Sequence, residues 1–120
     1  MESQSQTCDI MGAVWSVHLL DAADHEVSAL PARERTAIRN VMSKLMSAGP
    51  TLPYPHQSAV RGQPGLRELR PRAGRSQWRA FYERFGDGFV IAAIGPEAES
   101  NQRGFDQAVS LAERRLKERR

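Results

Sequence analysis

The stretch Gln77-Trp78-Arg79-Ala80-Phe81-Tyr82-Glu83-Arg84-Phe85-Gly86-Asp87-Gly88-Phe89-Val90-Ile91-Ala92-Ala93-Ile94 decides the fold. Two runs rich in aromatic and β-branched residues flank Gly86-Asp87-Gly88, and glycines around an aspartate supply the backbone freedom that a tight hairpin turn demands. In the first run alternation sets Trp78, Ala80 and Tyr82 on one side and Arg79 and Phe81 on the other. The second run, Phe89 to Ile94, is apolar at every position, so its strand should lie centrally and be covered on both faces. At six residues it is also the longest wholly apolar run, far short of the roughly 20 that span a bilayer.

Short strands are predicted upstream at Ala59 to Arg61 and Leu66 to Arg70, separated by Gly62-Gln63-Pro64-Gly65 and followed by a break from Pro71 to Ser76 that contains Gly74. Consecutive strands with such short connections imply an antiparallel meander. Pro50, Pro53 and Pro55 make residues 49–58 an extended surface loop, because proline cannot donate to a ladder. Before the loop, Ile38, Val41, Met42 and Leu45 recur at three- and four-residue steps, an amphipathic helix that Pro31 opens and Gly49-Pro50 stops. A shorter helix, capped by Asp21, runs through Leu30, and a first strand over Val14 to Leu20 aligns Trp15, Val17 and Leu19 on one face. At the other end, Ser100 or Asn101 caps a helix whose Phe105, Ala108, Val109, Ala112 and Leu116 form one stripe. The whole reads as an α+β domain over 11–120 behind a flexible leader at 1–10. A curved antiparallel sheet of four to five strands is expected, with two N-terminal helices and one C-terminal helix. Phe89, Ile91, Trp15, Val17, Ile38, Leu45 and Val109 are expected to be mostly buried.

With 120 residues, 40% hydrophobic and 26% charged, the chain suits one globular domain and excludes a disordered or disulfide-framework class. Cys8 has no intrachain partner, and the polar start lacks a secretory pattern; both agree with a cytoplasmic location. His18, His25 and His56 have no metal-ligand spacing, and phosphate-loop, dinucleotide and nucleophile-elbow motifs are absent. No metal and no cofactor is expected. Glu97 and Glu99 read as ordinary solvated loop charges.

The net charge of +3 hides an asymmetry: residues 1–60 hold four Lys/Arg against six Asp/Glu, residues 61–120 thirteen against eight. Between 61 and 84 every base is arginine, namely Arg61, Arg67, Arg70, Arg72, Arg75, Arg79 and Arg84. Planar guanidinium groups make bidentate phosphate contacts and stack on unpaired bases, which points to a polyanion. Glu68 and Arg70 share one face of their strand. If the next strand pairs so that Arg79 sits beside them, a carboxylate and two guanidinium groups face one phosphodiester. RNA carries its own nucleophile, so in-line cleavage needs a base at the 2′-hydroxyl and cations at the phosphate oxygens. The plain structural alternative is a Glu68–Arg pair that staples the hairpin.

The run Val60-Arg61-Gly62-Gln63-Pro64-Gly65-Leu66-Arg67-Glu68-Leu69-Arg70, then Trp78-Arg79-Ala80-Phe81-Tyr82 and an apolar strand, resembles the RelE/ParE toxin superfamily, specifically HigB-like toxins of the phage-derived type. The resemblance spans roughly residues 13–116. It implies a RelE-like fold and a type II toxin–antitoxin toxin, typically a metal-free, ribosome-dependent mRNA endonuclease held by a helix-turn-helix antitoxin of the HigA-like kind. In its terms Arg79 matches the central phosphate-contacting arginine, Arg70 the flanking strand arginine, and Glu68 the acid between them. Tyr82 is then a candidate stacking or proton-handling group, and Arg61, Arg67, Arg72 and Arg75 are candidate RNA-backbone contacts. Where members carry a lysine-rich loop after the last strand, this chain has Ile94 to Asn101 with two acids and no base, and Arg67 stands where an aromatic precedes the Glu. A toxin-like protein that binds RNA or an antitoxin without cutting, and a ParE-type gyrase inhibitor, are the alternatives.

Overall fold

A computed structural model describes residues 15–119. The leader at 1–10, with Cys8, lies outside the described residues. The hairpin forms as its sequence dictates, with β4 (Trp78–Phe85) and β5 (Gly88–Pro96) joined through Gly86-Asp87. Preceding elements are β1 (Ser16–Leu19), α1 (Asp21–Ser28), α2 (Ala32–Ala48), β2 (Gln57–Ala59) and β3 (Arg67–Leu69), and α3 (Gln102–Glu118) follows. The sheet order is β1-β5-β4-β3-β2.

Three helices and a five-stranded sheet make the α+β architecture that the patterning predicts, with one difference: β1 pairs parallel to β5, so the sheet is mixed. No turn joins these two strands. The chain travels through α1, α2 and the rest of the meander between them, so no hairpin dictates their relative direction. As an edge strand β1 leaves Trp15 and Val17 half-buried, less covered than expected. The upstream strand also lies earlier than predicted, at Gln57–Ala59, because the chain already turns at Val60: Val60 N–H donates to Leu66 O at 3.0 Å and Gln63 N–H to Val60 O at 3.2 Å. Arg61 is therefore in a turn. Asp21 is the first residue of α1 rather than its cap, whereas Asn101 caps α3 by accepting from Gly104 N–H at 2.9 Å. Gly49 closes α2 at φ 58°, with the Trp15 indole occupying the space that a side chain there would need.

One face of the sheet packs Leu69, Ala80 and Ile91 against Val27 of α1 and Ile38 and Leu45 of α2. The other packs Phe81, Val90 and Ala93 against Val109, Ala112 and Leu116 of α3. All of β5 before Pro96 is buried, as a run apolar on both faces requires. Its pairing with β4 skips Ala92, a bulge. Beyond the end of β1 the bare edge of β5 is satisfied by side chains: Arg115 donates to Ala92 O at 2.9 Å and Ile94 N–H donates to Glu26 at 3.0 Å. Arg115 and Glu26 themselves pair at 2.9 Å, tying α3 to α1. The far end of this sheet, where β4 leaves the Pro71–Ser76 loop, carries the polar cluster. Among the described residues no helix is long and apolar enough to cross a membrane.

Candidate functional site

Register decides which arginines meet the acid. Glu68 pairs with Phe81 and Leu69 with Ala80, so Arg79, one step further, falls on Glu68's face. Its Nε donates to Glu68 Oε1 at 3.0 Å. Arg79 is only 2% exposed, and a buried guanidinium must be fully paired. It is: Nη1 donates to Ser76 O at 2.6 Å and Trp78 O at 2.9 Å, and Nη2 to Gly74 O and Glu97 Oε1, both at 3.3 Å. All five of its N–H donors thus have protein acceptors.

Glu97, whose loop position alone suggests an ordinary solvated charge, is a member of this cluster. Its backbone N–H continues the sheet by donating to Gln77 O at 2.8 Å, which swings the carboxylate back over β4. Nothing local encodes that return. Two carboxylates therefore share one guanidinium, and Glu68 is the more enclosed. Burial, the largest influence, pushes the Glu68 carboxyl above its ordinary 4.5; Glu97 adds to this, and Arg70 and Arg79 oppose it. Burial likewise lowers Arg79 from its ordinary value, with Arg70 adding and the two carboxylates opposing.

Arg70 is the cation that remains presented. Its side chain is 21% exposed against 12% for Glu68, and its Nη1 lies 4.0 Å from Glu68 Oε1. Its Nε is buried without a hydrogen-bond partner. Two neighbours hold the guanidinium in place. The Tyr54 ring lies under it at 5.4 Å from Cζ to centroid, and the Gly74 backbone passes so close that a Cβ there would come within 3.1 Å of Nη2. Gly74 also has φ 93°, following Arg72 and Ala73 at 55° and 56°. Left-handed conformation costs a residue with a Cβ about 1–2 kcal/mol, so other contacts must hold the loop. Arg72 pairs with Glu34 at 3.1 Å and Ser76 Oγ donates to Glu34 Oε1 at 2.9 Å, fastening the loop to α2. Desolvation raises the Glu34 carboxyl, but the Ser76 and Arg72 hydrogen bonds and the Arg72 charge outweigh it, for a net lowering.

The remaining predicted residues are dispersed. Tyr82 is 2% exposed on the opposite face of β4, edge-on to Phe89 at 5.7 Å between centroids. Its phenol, raised by burial, is remote from the Glu68 face, so the expected stacking or proton-handling position is not where the structure puts it. Arg67 shares Tyr82's face and donates to Gln57 Oε1 at 2.6 Å. Arg72 is engaged by Glu34 and also donates to Arg33 O at 3.2 Å, while Arg75 is exposed and donates to Arg72 O at 3.1 Å. Arg61 is exposed in the turn after β2. Among the described residues no three His, Cys, Asp or Glu side chains gather to hold a metal ion.

Residues 25–117 match the family model described as Phage derived protein Gp49-like (DUF891), which includes every residue of the Glu68 cluster. The chain belongs to this Gp49-like family. Its backbone is also similar to a solved structure of the E. coli toxin RelE, a double arginine-to-alanine mutant in the free state. The TM-score is 0.55 at 17% identity, over 80% of this chain and 95% of that one. No curated protein matches in sequence. The RelE-like fold implied by the resemblance read from Leu66 to Arg70 and Trp78 to Tyr82 thus holds, and the matching family is a phage-derived one. Within this Gp49-like chain, the two strands that carried the resemblance are the ones that join Glu68 to Arg79.

Proposed function

We propose that this Gp49-like protein is a cytoplasmic toxin of a toxin–antitoxin pair, of the HigB-like kind, and that it cleaves mRNA on the ribosome without a metal. The observation that carries the reading is the partly exposed Glu68–Arg70 pair, set on a rigid strand end by the saturated Arg79 behind it. Glu68, whose carboxyl burial raises above its ordinary value, accepts the proton of a 2′-hydroxyl. Arg70 meets the non-bridging phosphate oxygens as the O2′–P bond forms and the P–O5′ bond breaks. The departing 5′ oxygen takes its proton from water. Arg79 acts as a positioning residue, because its donors are already engaged. Arg75, exposed in the adjoining loop, and Arg61 add backbone contacts. A helix-turn-helix antitoxin is the expected partner, and it neutralises this arginine-dense face.

The non-cutting alternative is favoured by one observation, that Arg79, the arginine matched to phosphate contact, has no donor left for a substrate. Primer extension on mRNA after controlled expression separates the two. Codon-spaced 5′ ends that vanish when translation is blocked are the expected result. Arg70→Ala should erase them while the protein stays folded and soluble. Intact mRNA in cells that the parent protein arrests would leave the binding-only reading standing.

A further inference from the structure

Tyr54 is 70% exposed, the one large hydrophobic side chain so placed among the described residues. Lone exposed apolar residues are ordinary, but this ring is built into the Glu68 face. Arg70 N–H donates to His56 O at 2.8 Å, extending the β2–β3 pairing back into the proline-rich loop and drawing Tyr54 beside Arg70. The Arg70 guanidinium then lies over the ring, 5.4 Å from Cζ to centroid, and its Nη1 lies 4.0 Å from Glu68 Oε1. Arg70 therefore adjoins both a carboxylate and an aromatic ring, and the aromatic is open to solvent.

We infer that Tyr54 is the stacking platform for one unpaired base of a single-stranded RNA whose neighbouring phosphate is held by Arg70. The inference rests on the RNA-cleaving reading of the same site and adds to it the residue that positions the nucleotide. An aromatic face takes any base, so its contribution is affinity and registration rather than sequence choice. A cation beneath the ring fixes it before the base arrives, which reduces the ordering required on binding. The arrangement suits RNA in single strands, because a duplex keeps its base faces stacked and inaccessible.

The test uses a short unstructured 2′-O-methyl oligoribonucleotide, which cannot be cut, carrying one 2-aminopurine whose fluorescence falls on stacking. The parent protein should bind and quench it. Tyr54→Phe should do the same, and Tyr54→Ala should lose the quench and bind about 5- to 100-fold more weakly. The slope of log affinity against log salt should be unchanged in Tyr54→Ala, since no phosphate contact is lost, and should fall by about one in Arg70→Ala. Urea midpoints equal to the parent's are expected for both Tyr54 variants, because the ring is exposed. Equal quenching by the parent and Tyr54→Ala overturns the inference, as does a parent protein that fails to bind the oligonucleotide. A parent that cuts mRNA in a translating extract while Tyr54→Ala behaves identically leaves the endonuclease reading intact and removes only the platform. A parent that quenches through Tyr54 and never cuts removes the endonuclease and keeps the platform.

Discussion

Replacing Arg79 with Met keeps an unbranched side chain of comparable length but removes every donor at the centre of the cluster. Two carboxylates, Glu68 and Glu97, and three carbonyls, Gly74, Ser76 and Trp78, then lose their shared partner. Each of the three charged groups is less than a third exposed, with Arg79 at 2%, Glu68 at 12% and Glu97 at 27%. Solvent therefore compensates only partly, and breaking a pair of this kind costs about 3–5 kcal/mol. That is a large share of the roughly 5–15 kcal/mol available to a single domain. With a urea dependence of about 1.5 kcal/mol/M, the unfolding midpoint should fall by about 2–3 M. Arg79→Lys should fall between the two, because one ammonium cannot serve five acceptors. In a double-mutant cycle, Glu68→Gln in the Arg79→Met background should cost less than Glu68→Gln alone by about 0.5–3 kcal/mol, since the charge it removes is already unpaired. A midpoint within 0.3 M of the parent, or a cycle that closes with no coupling, would refute the view that Arg79 is the structural pin of the site.

Leu45→Ala, in the fully buried stripe of α2, should cost about 2–5 kcal/mol by urea unfolding; an unchanged midpoint would show that α2 does not pack as described. Gly95→Ala places a Cβ inside contact distance of Ala108, so α3 must shift from β5, with about 1–3 kcal/mol lost and slowed amide exchange of β5 diminished. Glu68 has a folded-state pKa above its unfolded value, so its proton-linked stabilisation is complete below pH 4.5 and declines as pH rises through the folded pKa. Glu68→Gln should abolish that decline, which thermal melts across pH 4–7 would detect as a flatter profile. Glu34 titrates in the opposite sense, its contribution being lost as pH falls through its lowered pKa, and Glu34→Gln should flatten the acid limb below pH 4.5.

The sequence by itself determined most of the elements that depend on neighbours in the chain, though not the Asp21 cap or the exact bounds of β2. The Gly86-Asp87 hairpin, the doubly apolar β5, the helical stripes of Ile38-Val41-Leu45 and Val109-Ala112-Leu116, and a cap at Ser100 or Asn101 all follow from periodicity and local backbone preference, the structure selecting Asn101. Alternation likewise placed Tyr82 opposite Arg79 and set Glu68, Arg70 and Arg79 in line to meet. Tertiary structure alone decided the parallel pairing of β1 with β5, which no turn connects, and the return of Glu97 over β4. It also decided the fate of Arg79. Three of its acceptors are backbone carbonyls, and the loop supplying two of them includes residues in left-handed conformation that their side chains disfavour. A carbonyl carries no signature of its side chain, so the acceptors around a buried cation become visible only when the chain has folded around it. Tyr54 illustrates the same point, since only the backbone bond from Arg70 to His56 sets an exposed loop aromatic beside the cation.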